Sequence, residues 1–204
     1  MTSLPAKQPL RPKKPISSKA TLLEKTKELE LLQRITESIS SNLDLNVVLK
    51  EVVALVVEKT NADACLIYLV NESRDALVLQ ASKIPHPKLI GQIRVELGEG
   101  ITGWVAKEQR LVAISENAGN DPRFKSFQYL PEDRYQAFLS VPVISKGEMI
   151  GVLNVQHEKP HRHTSGEIAL LSTIGRQVGN AIENARLYNE MKKKAMQIDT
   201  LSRL

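Results

Sequence analysis

The chain has 204 residues, 42% apolar and 25% charged. That is enough apolar mass for one core of ordinary domain size and too much for a chain disordered throughout, while its longest aliphatic block, residues 52–57, is far short of the roughly 20 residues of a bilayer span. The net charge of +5 does not mark a nucleic-acid-binding face, because Lys7, Arg11, Lys13, Lys14 and Lys19 account for it and the rest of the chain is balanced. The first 20 residues lack an apolar signal-peptide core, and the lone Cys65 can form neither an internal disulfide nor a multi-thiolate metal site. A reducing, cytoplasmic setting is the expectation.

Residues 1–19 hold four of the ten prolines and no acid. They read as a disordered basic arm that cannot bury enough apolar surface to order itself. From 20 to 42 the pattern turns helical, with Leu22, Leu29, Leu32, Ile35 and Ile39 forming a narrow stripe suited to one partner helix. Asp44 is placed to cap a second, more apolar helix through Leu45, Val48, Leu49, Val52, Val53 and Val56. Residues 65–70 and 76–81 read as a β-hairpin, 93–95 as a short strand and 100–109 as a short helix. Residues 111–115 are extended, and 116–136 carry turn chemistry. Two further strands, 138–144 and 149–157, are joined by the tight turn Ser145-Lys146-Gly147-Glu148.

The last element is the best defined. Thr164-Ser165-Gly166-Glu167 is a capping box. Beyond it Ile168, Leu171, Ile174, Val178, Ile182, Ala185 and Tyr188 repeat at helical spacing, with no proline through Leu204. A helix of that length is near 60 Å, longer than such a domain is wide. Its distal part is therefore expected to project and to pair as a coiled coil with its copy in a homodimer.

The order of elements and a set of local motifs resemble the GAF domain family. The motifs are Leu43-Asp44-Leu45, Ala62-Asp63-Ala64, Gly98-Glu99-Gly100-Ile101-Thr102-Gly103 with Val105, Asp121-Pro122-Arg123-Phe124, and Ser140-Val141-Pro142-Val143. Gly147 with Ile150-Gly151-Val152-Leu153, and residues 181–188, complete the set. The resemblance covers about residues 22–192. It implies an α+β fold: a six-stranded antiparallel sheet with the terminal helices bundled on one face and a small-ligand pocket on the other. The division it suggests is an arm at 1–19, a helix at 20–42, a core at 43–163 and a signalling helix at 164–204. It also implies a sensory module that relays ligand state through terminal helices 20–42 and 164–204 to an output domain or partner of kinase, cyclase or regulator type. No such output domain falls within these residues.

If the pocket exists, Trp104, Phe124, Tyr135 and Phe138 are its expected walls, with Thr102, Ser115 and Ser140 as polar contacts. Five of the eight aromatic residues lie between 124 and 138, so a pocket lid and a small core within the loop compete as readings. The alternative function is a ligand-free dimerisation scaffold whose pocket is filled by its own aromatics.

Other chemistry is weakly supported. Gly98-x-Gly100-x-x-Gly103 has the spacing of a dinucleotide fingerprint but lies in a chain of hairpins, not a parallel βαβ unit, and reads as a strand-to-helix turn. Cys65 sits inside a strand and is followed by Leu66, unlike the chromophore cysteine of bilin-carrying relatives. The Phe127, Pro131, Glu132, Asp133 region breaks the family's cyclic-nucleotide signature. His157, His161 and His163 invite a metal reading, but Lys159 and Arg162 stand among them, and the family often has phenylalanine where this chain has His163. The expectation is no metal, no cofactor and no catalysis, since no Ser–His–Asp set, paired carboxylates or phosphate loop stands out.

Overall fold

The structure is a computed structural model that describes residues 18–41, 44–83, 89–126 and 134–202, without the side chains of 18–22, 24, 189 and 199–202. The arm before Ser18, Leu43, His86, and Phe127, Tyr129, Pro131, Glu132 and Asp133 lie outside the described residues.

Helix α1 (Ser18–Ser41) leads into α2 (Leu45–Thr60), whose first turn is capped as expected: the Asp44 carboxylate accepts the Asn46 amide at 2.9 Å. Strands β1 (Ala64–Val70) and β2 (Ala76–Ser82) form the first hairpin, followed by β3 (Arg94–Glu96), α3 (Gly100–Glu108) and β4 (Val112–Ile114). Strands β5 (Ala137–Ser145) and β6 (Glu148–His157) form the second hairpin, closed by Lys146 and Gly147, both at positive φ (50° and 81°). That is the two-residue turn whose twist matches antiparallel strands. Helix α4 runs from Ser165 to Ser202. Its capping box is formed in both directions: the Glu167 amide donates to Thr164 Oγ1 at 3.2 Å and the Thr164 amide to Glu167 Oε2 at 2.7 Å.

The sheet is six-stranded in the order β3-β2-β1-β6-β5-β4, and every neighbouring pair is antiparallel. Helices α1, α2 and the first half of α4 cover one face. Val48, Leu49, Val52 and Val56 meet Leu139, Val141, Leu153 and Val155 of the sheet, with Leu171, Ile174 and Val178 from α4. Gly179 lets α4 lie close to β5: a Cβ there would sit 3.0 Å from the Ile144 carbonyl oxygen. Among the described residues, no helix is long and apolar enough to cross a membrane.

Two sequence expectations need correction. Of the expected stripe, Ile35 is fully buried and Leu32 and Ile39 pack against the core, but Leu29 is 67% exposed and Leu31 is buried in its place. Part of its partner is intramolecular: Leu31 and Ile35 join the core formed by α2, α4 and the sheet. The short third strand starts at Arg94, leaving Ile93 just outside it.

Candidate ligand-binding face

The other face of the sheet is built by the alternate residues of the same strands, because successive side chains in a strand point to opposite sides. Ala64, Leu66 and Tyr68 of β1, Val152 of β6 and Phe138 of β5 join Leu77, Leu79, Val95, Ile101, Val105 and Val112 in a second apolar cluster. Polar groups interrupt it. Ser140 and Asn154 face each other across β5 and β6, and Phe138 and Ala64 flank Gln156 from the two neighbouring strands.

Three of these groups form a chain. Ser140 Oγ donates to Asn154 Oδ1 at 2.6 Å, and Asn154 Nδ2 donates to Thr102 Oγ1 at 2.7 Å, tying α3 to the sheet through buried side chains. Gln156 is different. It is fully buried, and both its Nε2 and Oε1 lack a hydrogen-bond partner among the described residues. Leaving a buried polar group unpaired costs about 1–3 kcal/mol, and such groups are rare enough in native proteins that each one calls for a cause.

Aromatic rings border this polar strip. Phe138 receives Phe124 and Tyr135 edge-to-face, at centroid distances of 6.1 and 6.3 Å. Trp104 is half-buried, with the Arg123 guanidinium 4.7 Å above its ring. Arg123 is held by a two-pronged bond to Asp121, both contacts at 2.8 Å, while its amide also donates to Asp121 Oδ1. The hydrogen bond from Arg123 lowers the Asp121 pKa and raises that of Arg123. Asp121 precedes a proline and adopts the extended conformation that position favours. The Asp-Pro-Arg-Phe segment thus fixes where the loop crosses α3.

The glycine motif before α3 serves the turn. Gly98 has φ 91° and donates to the Gly103 carbonyl at 2.8 Å, while the Gly103 amide donates to Glu99 at 2.9 Å. A Cβ on Gly103 would lie 2.2 Å from the Glu96 carbonyl oxygen. These two amides bond within the turn, which fits the structural reading over a phosphate cradle. Cys65 lies on the opposite, helix-covered face, where burial pushes its thiol pKa up.

Of the seven residues expected to line a pocket, Thr102, Trp104, Phe124, Tyr135, Phe138 and Ser140 come together here. Ser115 does not. It is exposed beyond β4, and its carbonyl accepts the His161 amide at 2.8 Å. Sequence reasoning missed Asn154 and Gln156. The signal was present: two amides at positions i and i+2 of an otherwise apolar strand must share a face.

A curled antiparallel sheet, with terminal helices on one side and a short helix, loop and polar-aromatic strip on the other, defines an α+β domain built on a single six-stranded sheet. The chain belongs to the GAF domain family, whose sequence profile matches residues 42–183. It is 25% identical over 182 residues to a Nif-specific regulatory protein of Azospirillum brasilense, covering 85% of this chain and 29% of that protein. Against the phosphoenolpyruvate-dependent phosphotransferase system protein of Escherichia coli the identity is 26%, covering 78% of this chain and 21% of the other. The chain therefore spans less than a third of either relative. Among solved structures, the GAF domain of a phosphoenolpyruvate-protein phosphotransferase from Coxiella burnetii superposes with a TM-score of 0.75 at 28% identity, covering 81% of this chain and 98% of that one.

Proposed function

We propose that this chain is the sensory module of a cytoplasmic signalling protein. It binds a small molecule between α3, residues 116–126 and 134–136, and the sheet, and passes the bound state along α4 in a homodimer. The observation that carries this reading is Gln156. A fully buried amide whose donor and acceptor are both unpaired among the described residues, set beside a satisfied Ser140–Asn154–Thr102 chain and aromatic rings, suits a ligand with an adjacent donor and acceptor on a flat or apolar body.

The relay has a physical basis. Ser145 Oγ, at the end of β5, donates to Asn180 Oδ1 of α4 at 2.9 Å, next to the close approach at Gly179. A shift of β5 on ligand binding is thereby passed to the helix. Beyond the core, α4 exposes Leu187, Met191 and Ile198, spaced by four and seven residues. That is a coiled-coil seam for a second copy. The output belongs to a further domain or partner of regulator, kinase or cyclase type. The module itself is read as non-catalytic, since its one thiol is buried away from the candidate face.

A ligand-free scaffold is the second reading, favoured by the Phe124–Phe138–Tyr135 cluster, which fills part of the same space. Native mass spectrometry of the purified protein, repeated under denaturing conditions, separates the two. A dimer with an adduct lost on denaturation supports the sensor and gives the ligand mass. If there is no adduct and no ligand in a thermal-shift screen whose effect Gln156→Leu abolishes, the scaffold stands.

A further inference from the structure

The three histidines at the foot of α4 form a cluster that the candidate ligand face does not use. His157 closes β6, and His161 and His163 lie in the segment leading to the capping box. The His157 and His161 rings stack at 4.0 Å between centroids, with His163 5.7 Å from the first and 5.0 Å from the second. One nitrogen from each ring falls within 4.8 Å of the others. A tetrahedral zinc–imidazole site has metal–nitrogen bonds of roughly 2.0–2.1 Å, which place its nitrogens about 3.4 Å apart. The His157 and His161 planes are only 12° apart, so one of these rings must turn out of the stack for the in-plane lone pairs to converge on one ion, and two of the three rings are only partly buried.

The outer bonds of the rings favour ligation. His161 Nε2 lies 3.0 Å from Glu167 Oε1, the carboxylate that also closes the capping box. Donation from that nitrogen leaves Nδ1 with its lone pair. The His163 Nε2 is buried without a partner among the described residues. A carboxylate on the far nitrogen orients metal-binding histidines as Glu167 orients His161. Asp63 and Glu167 add negative charge at the cluster, whereas Lys159 and Arg162, which argued against a cation in the sequence, are exposed to solvent. A cavity of about 250 Å³ lined by Asn61, Asp63, His157, Glu158, Lys159 and His161 opens beside it, so the Lys159 cation borders the cavity together with two carboxylates.

We propose that His157, His161 and His163 bind one divalent transition-metal ion of the zinc type, clamping the end of β6 to the first turn of α4. Three nitrogen donors leave a fourth position open to water or an exogenous ligand. The site is independent of the ligand face and joins the sheet to the signalling helix at its root.

The test is a titration of untagged, chelator-treated and desalted protein with Co(II), followed by absorbance, and with Zn(II), followed by calorimetry. The expected result is one metal per chain, with the intense visible bands of four-coordinate cobalt. His161→Ala should weaken binding at least 100-fold, and Glu167→Gln, which removes the outer carboxylate, by about 10–100-fold. His163→Phe keeps an aromatic ring of similar size and should retain the fold by circular dichroism while losing tight binding. Uptake well below one metal per chain overturns the proposal. So does uptake that these three variants leave unchanged, which would mean the metal sits elsewhere.

Discussion

The two faces of the sheet are made from the same strands and differ in kind. Toward the terminal helices, Leu139, Val141, Val143, Leu153 and Val155 present only hydrocarbon. Toward α3, the alternating neighbours include Ser140, Asn154 and Gln156, all buried. An apolar face needs no partner beyond good packing. A buried polar face must find one for every group, and here one amide has none among the described residues. The first face contributes packing, and the second carries polar groups that cost stability wherever they stay unpaired.

The sharpest way to break that contrast is one substitution on each side of β6. Leu153→Ala removes a fully buried side chain from the helix face and should cost about 2–5 kcal/mol in urea unfolding. Gln156→Leu should leave the ligand-free protein equally stable or more so, because it removes an unpaired amide at similar volume. Equal destabilisation by both would mean that Gln156 is satisfied and the contrast false.

A smaller loss is expected at Asn154. Asn154→Leu keeps the branching at Cγ, with larger terminal groups, and leaves the Ser140 and Thr102 hydroxyls without the partner that joins them. The expected cost is about 1–3 kcal/mol, with faster amide exchange over residues 100–108 as α3 loosens. Unchanged exchange there would show that apolar packing, not the polar chain, holds α3.

Outside the sheet, Met191→Lys tests the exposed seam of α4, where Met191 is 71% exposed. It should raise the dimer dissociation constant at least tenfold, about 1.4 kcal/mol, with no effect on unfolding of the globular part. Sedimentation velocity reads it, and a wild-type monomer at tens of micromolar would reject the dimer outright.

What could be read from the sequence was local. The capping box at Thr164 and Glu167, the Asp44 cap and the turn at Lys146 and Gly147 each depend on a few adjacent residues, and each formed where expected. The stripe of α1 was right at Leu32, Ile35 and Ile39 and missed at one position, because Leu29 and Leu31 are equally apolar and only the position of α2 and α4 decides which is covered. Six of the seven proposed wall residues share one face because the family motifs carry register with them. Ser115 fell outside because β4 ends before it. Gln156 was legible as a polar residue in a strand, but its lack of a partner depends on Ala64 and Phe138 being brought beside it from distant parts of the chain. The histidine cluster was set aside because Lys159 and Arg162 stand among the rings and the family often has phenylalanine at position 163, and sequence spacing does not reveal that the three rings come within reach of one another.

The smallest effect concerns the loop that crosses α3. Arg123 holds the Asp121 carboxyl below its ordinary pKa, chiefly through their hydrogen bond, and sits over Trp104. The folded protein therefore binds this proton less readily than the unfolded chain. The pair's contribution is present above the unfolded value of about 3.9 and is lost as pH falls through the folded value. Because the guanidinium is 30% exposed, solvent screening limits the contribution to about 1 kcal/mol or less. Glu58, Asp75, Glu99 and Glu167 are lowered too, so the wild-type curve alone cannot isolate one carboxylate. Subtracting the unfolding free energy of Asp121→Asn from that of the wild type at each pH removes them. The difference should be constant from about pH 7 to pH 5 and shrink below about pH 4. A difference of zero throughout would show that the pair fixes the loop over Trp104 without stabilising the fold, moving it from the stability side of the contrast to the recognition side.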